Sequence, residues 1–340
     1  MTSSPTLARF PACKVGVVIK CLNEEKNIAR CVESALSAIQ HLDAVVVVAD
    51  SGSSDRTVEI AGGYPVRVVQ LTEAGMKSCG LGAQLGYQFL NCEYVYILDG
   101  DMTLFDGALE KCLAVLAADE SLGGVGGLVE EMGGNNYEFE RRRDTHDGTI
   151  SGIVSSLDMG GLYRVSALEG HYLTNMNLHS YEEKELAYRL HKNGFKLLRI
   201  DQLVVRHFGK TQDTTSLILK RWKTKHIDGP GELWRFLLSV ADVKTGLRLF
   251  GNLVLVVASW TLPVAAIGAA LIDYRITALL LLLFCAFHAL MFAMFAIRYR
   301  SASLGAVGLV NINVLAAASV RGFLRRQTPP DSWIPSRLVR

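Results

Sequence analysis

Three short runs of apolar residues in the first hundred positions predict buried β-strands. They cover Val15–Lys20, Ala44–Ala49 and Tyr94–Leu98, and each is rich in β-branched or aromatic side chains. None alternates apolar with polar residues as a strand with one wet face would, so both faces of the sheet should be covered. Helical patterns follow at 24–40 and 106–118. Strands that alternate with helices predict a doubly wound α/β layer with a mostly parallel sheet.

The hydrophobic pattern changes in the last third of the chain. Residues 251–272 and 276–297 contain no charged side chain, and each run has 22 residues. A helix that spans a membrane needs about 20 apolar residues, and a buried soluble helix of that length would keep a polar face. Both runs are therefore predicted to span a membrane. A third uncharged run, 301–320, contains Asn311 and Asn313, so a third span and an interfacial or re-entrant helix are both open.

These changes in composition divide the chain into five predicted segments. They are an N-terminal extension (1–13), an α/β domain (14–215), a basic and amphipathic linker (216–250), a membrane domain (251–320) and a basic tail (321–340). In the linker, basic residues and Trp222 precede an apolar stripe over Glu232–Phe250. This pattern predicts an interfacial helix that binds anionic lipid headgroups. A solvated helix packed on the α/β domain is the alternative.

Charge and cysteine usage narrow the possible partners and compartments. The net charge of +2 gives no electrostatic reason to expect a nucleic-acid partner. Seven cysteines without a CxxC pair suit a reducing compartment. Residues 1–13 lack the apolar core of a signal peptide. The α/β domain of this integral membrane protein is therefore expected to remain in the cytoplasm.

Acidic side chains follow all three predicted strands. Asn23 and Glu24 come after the first strand, Asp50 closes the second, and Asp99 and Asp101 follow the third. Ligands of such sheets bind at the carboxyl ends of the strands, where gathered carboxylates need a cation or hydrogen-bond donors. Two carboxylates separated by one glycine suit Mg²⁺ or Mn²⁺, with substrate phosphates completing the coordination shell. Asp50 fits a structural turn, a nucleotide contact, or both.

A helical pattern over 181–192 brings a further carboxylate toward the protein interior. Glu183 lies on the apolar stripe of this helix, where it is either a buried polar cap or a general base. Glu185 lies off the stripe and is expected to pair with Arg189, four residues on. His207 closes another predicted strand, as a structural residue or as a metal ligand.

Together these segments resemble glycosyltransferase family 2, whose members have the GT-A fold. The similar segments occur in the family's order over about residues 14–210. VGVVIKCLNEEKNI resembles the first strand with its nucleotide loop, ADSGSSDRTVEI the Asp-x-Gly-Ser segment, and VYILDGDM the metal-binding DxD strand. EEKEL resembles the Glu-Asp-x-Glu-Leu motif, and RHFG resembles a late strand with a metal-binding His.

The resemblance implies a role for each candidate residue and a pair of ligands for the site. The implied roles are nucleotide or phosphate contacts for Asn23, Glu24, Asp50, Lys77 and Asp99, metal ligation for Asp101 and His207, proton abstraction for Glu183, and the acceptor-side loop for Gly160 and Gly161. The implied cofactor is Mg²⁺ or Mn²⁺. The implied donor is a sugar carried on a nucleoside diphosphate, with UDP favoured.

Five positions depart from the family pattern. Glu183 stands where Asp is usual, and Leu22 replaces a common Tyr. Ala83 and Gln84 lie where many members have Arg and Asn, so phosphate neutralisation is expected to depend more on Lys77 and the metal. Ile218 interrupts the QxxRW signature of processive members, which favours transfer of a single sugar.

The function expected from the resemblance is inverting sugar transfer to a lipid-linked glycan at the cytoplasmic face of a bacterial inner membrane. A polyprenyl-phosphate sugar synthase and a non-catalytic scaffold that binds nucleotide-sugar remain alternatives. A nucleotidyltransferase would also use paired carboxylates and a metal. It would normally carry a Gly-rich basic loop after its first strand, and the loop after the first strand here, which contains Asn23 and Glu24, is acidic.

Overall fold

A computed structural model of the chain describes residues 9–73, 75–133, 149–168, 172–209 and 214–340. The chain forms two compact units. The first contains Met1–Arg221 together with Gln327–Arg340, and the second contains Trp222–Arg326. Most of the predicted N-terminal extension, residues 1–8, lies outside the described residues.

The described residues of the first unit form one sheet of ten strands. The strands are β1 (Cys13–Cys21), β2 (Ala44–Asp50), β3 (Arg67–Leu71), β4 (Cys92–Asp99), β5 (Met102–Leu104), β6 (Leu122–Glu131), β7 (Gly152–Val154), β8 (Gly161–Arg164), β9 (Lys196–His207) and β10 (Ser336–Leu338). Their order across the sheet is β10-β3-β2-β1-β4-β8-β6-β9-β5, and β7 pairs with β9.

The predicted strands and their parallel arrangement are confirmed in one half of the sheet. β3, β2, β1 and β4 are neighbours and run parallel, and they include all three strands expected from the apolar runs. The other half is mixed, because β8 runs antiparallel to both β4 and β6. The carboxyl ends of β1, β2 and β4 therefore meet at one edge, where a doubly wound sheet binds its ligands.

Helices cover both faces of this sheet. They are α1 (Ile28–Ala38), α2 (Thr57–Gly62), α3 (Cys79–Tyr87), α4 (Ala108–Ala118) and α5 (Glu182–Lys192). Along β1, Val17 and Ile19 belong to one buried cluster, whereas Val18 belongs to the other. Successive strand residues point to opposite faces, so a continuous apolar run is what a sheet covered on both sides requires.

The second unit consists of helices. After α6 (Thr214–Lys223), which extends from one unit into the other, they are α7 (Gly229–Ser239), α8 (Val243–Ser259), α9 (Thr261–Ala269), α10 (Tyr274–Arg298) and α11 (Ala302–Leu324). In the part of the chain that the structure describes, three segments are long and apolar enough to cross a membrane: Val243–Ala269, Tyr274–Arg298 and Ala302–Leu324. α10 buries none of its residues. Apolar surface of this extent on a helix is typical of contact with lipid.

The third of these segments keeps its polar residues inside a continuous helix. The Trp260 indole Nε1 donates to Asn313 Oδ1 at 3.1 Å, and the Asn313 amide donates to the Leu309 carbonyl at 2.9 Å. Side-chain amides in apolar helices are stabilised by such contacts between and within helices. Asn313 therefore does not prevent α11 from being as long as a membrane span.

Two helices, α7 and the start of α8, take the place of the single apolar stripe predicted over Glu232–Phe250. α7 ends at Ser239 and α8 begins at Val243, and Ala241 between them has a positive φ of 57°. Asp228, directly before α7, is a buried carboxylate. It forms ion pairs with Arg321 and Arg325 at 2.5 and 2.6 Å. These arginines, assigned from the sequence to a basic tail, neutralise a buried charge that would otherwise be costly.

Candidate active site

Two loops at the carboxyl edge of the sheet bind each other directly. Asn23, after β1, has a positive φ of 57° and donates its backbone N–H to Ser53 Oγ at 2.8 Å. Its side-chain Oδ1 accepts the Ser54 N–H at 2.8 Å. Ser53 and Ser54 follow β2, so Asn23 joins the ends of two neighbouring parallel strands. The side chain of Asn23 is exposed beside this junction and available to a ligand.

Asp50 is fully buried and organises the loop that follows β2. Its Oδ2 accepts the backbone N–H groups of Gly52 and Ser53 and the side-chain amide of Gln70, each at 3.0 Å. The structural turn considered for Asp50 is therefore present. The ammonium group of Lys77 donates to the Gly52 carbonyl at 3.0 Å, which brings this cation to the same loop.

Glu24 lies between the first loop and the end of β4. Its backbone N–H donates to Thr57 Oγ1 at 2.8 Å, and its Oε2 accepts from the Asn27 amide at 2.8 Å. A Cβ added to Gly100 would lie 3.2 Å from Glu24 Cγ and 3.0 Å from the Cys21 side chain. The glycine between the two acidic residues after β4 thus allows Glu24 to pack closely against the backbone there.

A half-buried cation that the sequence analysis missed, Lys20, lies among the acidic residues. Lys20 Nζ is 3.0 Å from Asp99 Oδ1 and 2.8 Å from Glu182 Oε1. Burial alone would lower the pKa of Lys20, but Asp99 and Glu182 raise it well above its usual value. Lys20 and Asp99 are direct neighbours in the β1–β4 register, so the pairing could have been found from the strand alignment.

Glu183, the predicted base, is buried beside this cation. Burial raises its pKa to about 8, Lys20 opposes the rise, and Asp158, Glu182 and Asp99 add to it. Its Oε2 has no hydrogen-bond partner among the described residues. A carboxylate whose pKa is close to neutral pH and whose oxygen is available can accept a proton from a substrate hydroxyl.

The two glycines assigned to the acceptor side lie in a strained turn close to Glu183. Asp158 and Met159 have positive φ values of 47° and 60°, and Gly160 follows with 100°. A Cβ at Gly160 would lie 3.2 Å from the Tyr96 hydroxyl, so this position requires glycine. An ion pair of 3.6 Å between Lys184 and Asp158 ties this turn to the start of α5. Backbone strain of this kind is concentrated at ligand sites.

Asp101 and His207 lie together, as the resemblance implied. His207 Nε2 is 3.8 Å from Asp101 Oδ2, and its other ring nitrogen, Nδ1, is 2.7 Å from Glu131 Oε2. A carboxylate on one ring nitrogen is the usual way to orient a histidine that ligates a metal through the other nitrogen. Glu131 was missed because β6, which carries it, was not predicted. Among the described residues, no three His, Cys, Asp or Glu side chains converge as metal ligands.

Two further residues have structural contacts. Gln84 is buried, and its side-chain oxygen accepts the Leu173 N–H at 2.8 Å. Glu185 forms the expected pair with Arg189 at 2.8 Å, but it is fully buried and also accepts from the Tyr172 hydroxyl at 2.9 Å. The prediction of the ion pair is confirmed, and the pair lies in the core.

Replacing Lys20 with Met should move the pH dependence of turnover to higher pH. Because Lys20 lowers the pKa of Glu183, its removal raises that pKa and leaves less ionised base at a given pH. In the wild type, kcat/KM should rise with pH through an apparent pKa near 8. The measurement is kcat/KM from about pH 6 to 10.

The matched control for this change is Lys111→Met, which removes an exposed cation from α4. Its pH profile should coincide with that of the wild type. An unchanged acid limb in a folded Lys20→Met variant would show that Lys20 does not tune the base.

The fold and this edge define a class of protein: an α/β domain whose joined loops and carboxylate–histidine pair lie at the carboxyl ends of the strands. The Pyrobaculum calidifontis mannosyltransferase PcManGT, solved in complex with GDP-Man and Mn²⁺, has the same fold, with a TM-score of 0.57 at 17% identity. The match covers 93% of this chain and 89% of that one. The first unit therefore has the GT-A fold.

The sequence comparisons agree with this fold. Residues 16–179 match the family model Glycosyl transferase family 2. The chain is 35% identical over 121 residues to chondroitin synthase of Escherichia coli, which is 35% of this chain and 17% of that protein. It is 28% identical over 152 residues to dolichol-phosphate mannosyltransferase of Pyrococcus furiosus, and this match covers 42% of this chain and 41% of that protein. The chain thus spans less than half of either relative, and its residues 16–179 are similar to glycosyl transferase family 2.

Proposed function

We propose that this protein transfers one sugar, with inversion, from a nucleoside-diphosphate sugar to a hydroxyl of a lipid-linked glycan. The observation that carries the proposal is the environment of Glu183. Its Oε2 has no hydrogen-bond partner among the described residues, and burial holds its pKa at about 8. A buried, available carboxylate beside a strained glycine turn is what base-assisted attack by a hydroxyl requires.

The proton transfer involves Glu183 alone. The acceptor hydroxyl gives its proton to Glu183 Oε2 as its oxygen forms a bond to the anomeric carbon, and the bond from that carbon to the diphosphate oxygen breaks. The attacking oxygen enters from the face opposite the leaving group, so the configuration at the anomeric carbon inverts. Lys20 stabilises the carboxylate form of the base through its charge.

The donor is expected to bind against the joined loops after β1, β2 and β4. Asn23 is exposed at the junction, Glu24 and Asp99 flank the end of β4, and Asp50 holds the second loop in place. Lys77 lies against Gly52 and offers a positive charge to a phosphate. The same arrangement accepts UDP or GDP, with UDP favoured from the resemblance.

Asp101 and His207 fit a divalent cation such as Mg²⁺ or Mn²⁺. The histidine nitrogen that faces Asp101 is 3.8 Å from it, and the opposite nitrogen is held by Glu131. Two protein ligands with phosphate oxygens in the remaining positions is the usual arrangement for a metal that binds with a nucleotide. Such an ion would act as a Lewis acid that stabilises the negative charge of the departing diphosphate.

The acceptor is inferred from the second unit and from one relative. Three helices are long and apolar enough to cross a membrane, so the protein and a lipid-borne acceptor would share one surface. The similar dolichol-phosphate mannosyltransferase is named for a lipid acceptor. We place the catalytic unit at the cytoplasmic face of a bacterial inner membrane, where nucleotide-sugars are available.

A second candidate, a polyprenyl-phosphate sugar synthase, is favoured by the same relative. In that reaction the acceptor is a phosphate monoester, whose oxygen is ionised at neutral pH. No base is needed, so the environment of Glu183 would have no catalytic purpose. The two candidates therefore differ in how much the reaction depends on Glu183.

The experiment that tests the proposal uses membranes containing the full chain. Radiolabelled UDP- and GDP-sugars are supplied with Mn²⁺ or Mg²⁺ and a bacterial lipid extract, and label in the organic phase is measured against membranes without the protein. Mild acid then releases the labelled saccharide from its lipid carrier, and the size of that saccharide separates a single sugar bound directly to polyprenyl phosphate from a sugar joined to a glycan. The anomeric configuration of the product is read by NMR.

We expect label in the lipid phase that mild acid releases as a saccharide longer than one sugar, with inverted configuration at the new bond. Label released by mild acid as the single sugar would favour the synthase. No transfer by a protein that binds a nucleotide would overturn the proposal in favour of a scaffold that only binds nucleotide-sugar.

A further inference from the structure

The last residues of the chain add a strand to the sheet of the first unit. β10 pairs antiparallel with β3 through Ser336 with Leu71, Arg337 with Gln70, and Leu338 with Val69. β3 lies beside β2, whose last residue is Asp50. A segment that follows all the helices of the second unit is therefore two strands away from the predicted donor loop.

Buried contacts fix the position of this segment. Ile334 is fully buried, and its backbone N–H and carbonyl are both bound by the side-chain amide of Gln88, at 2.9 and 3.1 Å. Trp333 packs edge-on against Phe89 with ring centroids 5.1 Å apart. The two hydrogen bonds between the Gln88 side chain and the Ile334 backbone fix the register of β10, which follows.

Three side chains form a row across β2, β3 and β10. The register aligns Asp50 with Gln70 and Gln70 with Arg337. Arg337 Nε and Nη2 donate to Gln70 Oε1 at 3.1 and 2.5 Å, and Gln70 Nε2 donates to Asp50 Oδ2 at 3.0 Å. Because a guanidinium only donates, it selects the oxygen side of the amide and turns the NH₂ group toward Asp50.

The carboxylate at the end of this row determines the shape of the donor loop. Asp50 accepts the N–H groups of Gly52 and Ser53, and Gly52 has a positive φ of 85°. Ser53 in turn binds the backbone of Asn23. Rotation of the Asp50 carboxylate would therefore disturb both loops at the carboxyl edge of the sheet.

We propose that Gln70 and Arg337 are positioning residues for the donor nucleotide, so that the end of the chain is part of the donor site. This inference rests on the proposed function, since it requires the two loops to bind a nucleotide. Gln70 is half-buried and contacts Asp50 directly, whereas Arg337 is exposed and acts through Gln70. The effect of Gln70 should therefore be the larger.

The test measures the Kd of UDP and of GDP, with Mn²⁺, for the full chain in detergent, together with KM for the donor and kcat. Gln70→Leu should raise the nucleotide Kd about tenfold, which corresponds to about 1.4 kcal/mol. Arg337→Ala should raise it about threefold, and kcat should change less than KM in both variants. Arg337→Lys, which keeps a donor, should restore part of the affinity.

A double variant separates positioning from general stabilisation of the strand. If Arg337 acts through Gln70, then Arg337→Ala should add nothing in the Gln70→Leu background. The matched control is Arg340→Ala, because that guanidinium donates to the Gly62 carbonyl, away from the Asp50 row. Arg340→Ala should leave the nucleotide Kd unchanged.

The outcomes distinguish this inference from the proposed function. Wild-type affinity in both Gln70→Leu and Arg337→Ala, or equal weakening by Arg340→Ala, would overturn the inference and leave the proposed function intact. A wild-type protein that binds neither nucleotide would overturn both.

Discussion

Replacing Glu183 with Gln should lower the rate of transfer to a hydroxyl acceptor about 10²- to 10⁴-fold, which is the usual contribution of a general base. The amide has nearly the same size as the carboxylate but cannot take up the proton. Because Glu183 Oε2 has no hydrogen-bond partner among the described residues, the change breaks no protein contact there. The measurement is the initial rate at saturating donor, with the donor Kd as a second readout.

Glu183→Asp provides the comparison for this change. It keeps a carboxylate of the type usual in the family and should retain more activity than the Gln variant. The donor Kd should stay near the wild-type value in both. A folded Glu183→Gln variant that transfers sugar at close to the wild-type rate would exclude a base and point to an acceptor that is already ionised, such as a lipid phosphate.

Asp101→Ala should reduce transfer at least about 100-fold, because Lewis-acid stabilisation of a departing diphosphate contributes several kcal/mol. Asp101 faces the His207 nitrogen that is not held by Glu131, so its loss removes one of the two proposed protein ligands. The Mn²⁺ affinity of the nucleotide-bound protein, followed by EPR, should fall together with the rate. Removal of metal with EDTA should abolish turnover in the wild type.

Asp106→Ala is the matched control, because it removes a carboxylate close in sequence to Asp101 that is not a proposed metal ligand. Asp106 is exposed and lies 3.5 Å from the Ser37 hydroxyl, away from His207. Its rate and Mn²⁺ affinity should match those of the wild type. If Asp101→Ala keeps both the Mn²⁺ affinity and the rate of the wild type, Asp101 is not a metal ligand.

The strands that the sequence predicted correctly are those with continuous apolar runs. β1, β2 and β4 are buried on both faces, so their composition alone separates them from loops. β6 has the sequence LGGVGGLVEE, in which four glycines resemble a loop. The structure gives a reason for two of them: a Cβ would meet Val204 at 2.1 Å from Gly127 and Tyr163 at 2.8 Å from Gly124. Such close packing depends on partners that are distant in sequence.

In the candidate site, too, the residues that the sequence did not reveal are those whose partners are distant in sequence. Asp101, His207 and Glu183 were found because each follows a strand or begins a helix, and motif order placed them together. Lys20 and Glu131 escaped notice because each is one polar residue at the end of a strand, and only the pairing register reveals its partner. The β10 strand has three residues and no apolar pattern, so nothing local indicates that it pairs with β3.

The pairing of β10 with β3 also constrains the path of the chain through a lipid bilayer. β1 and β10 belong to one sheet, so the residues before and after the helices of Trp222–Arg326 lie on the same side of any bilayer. A chain that leaves one side and returns to it makes an even number of crossings. If these helices are embedded in a bilayer, no more than two of the three described segments long enough to cross would therefore be complete traverses.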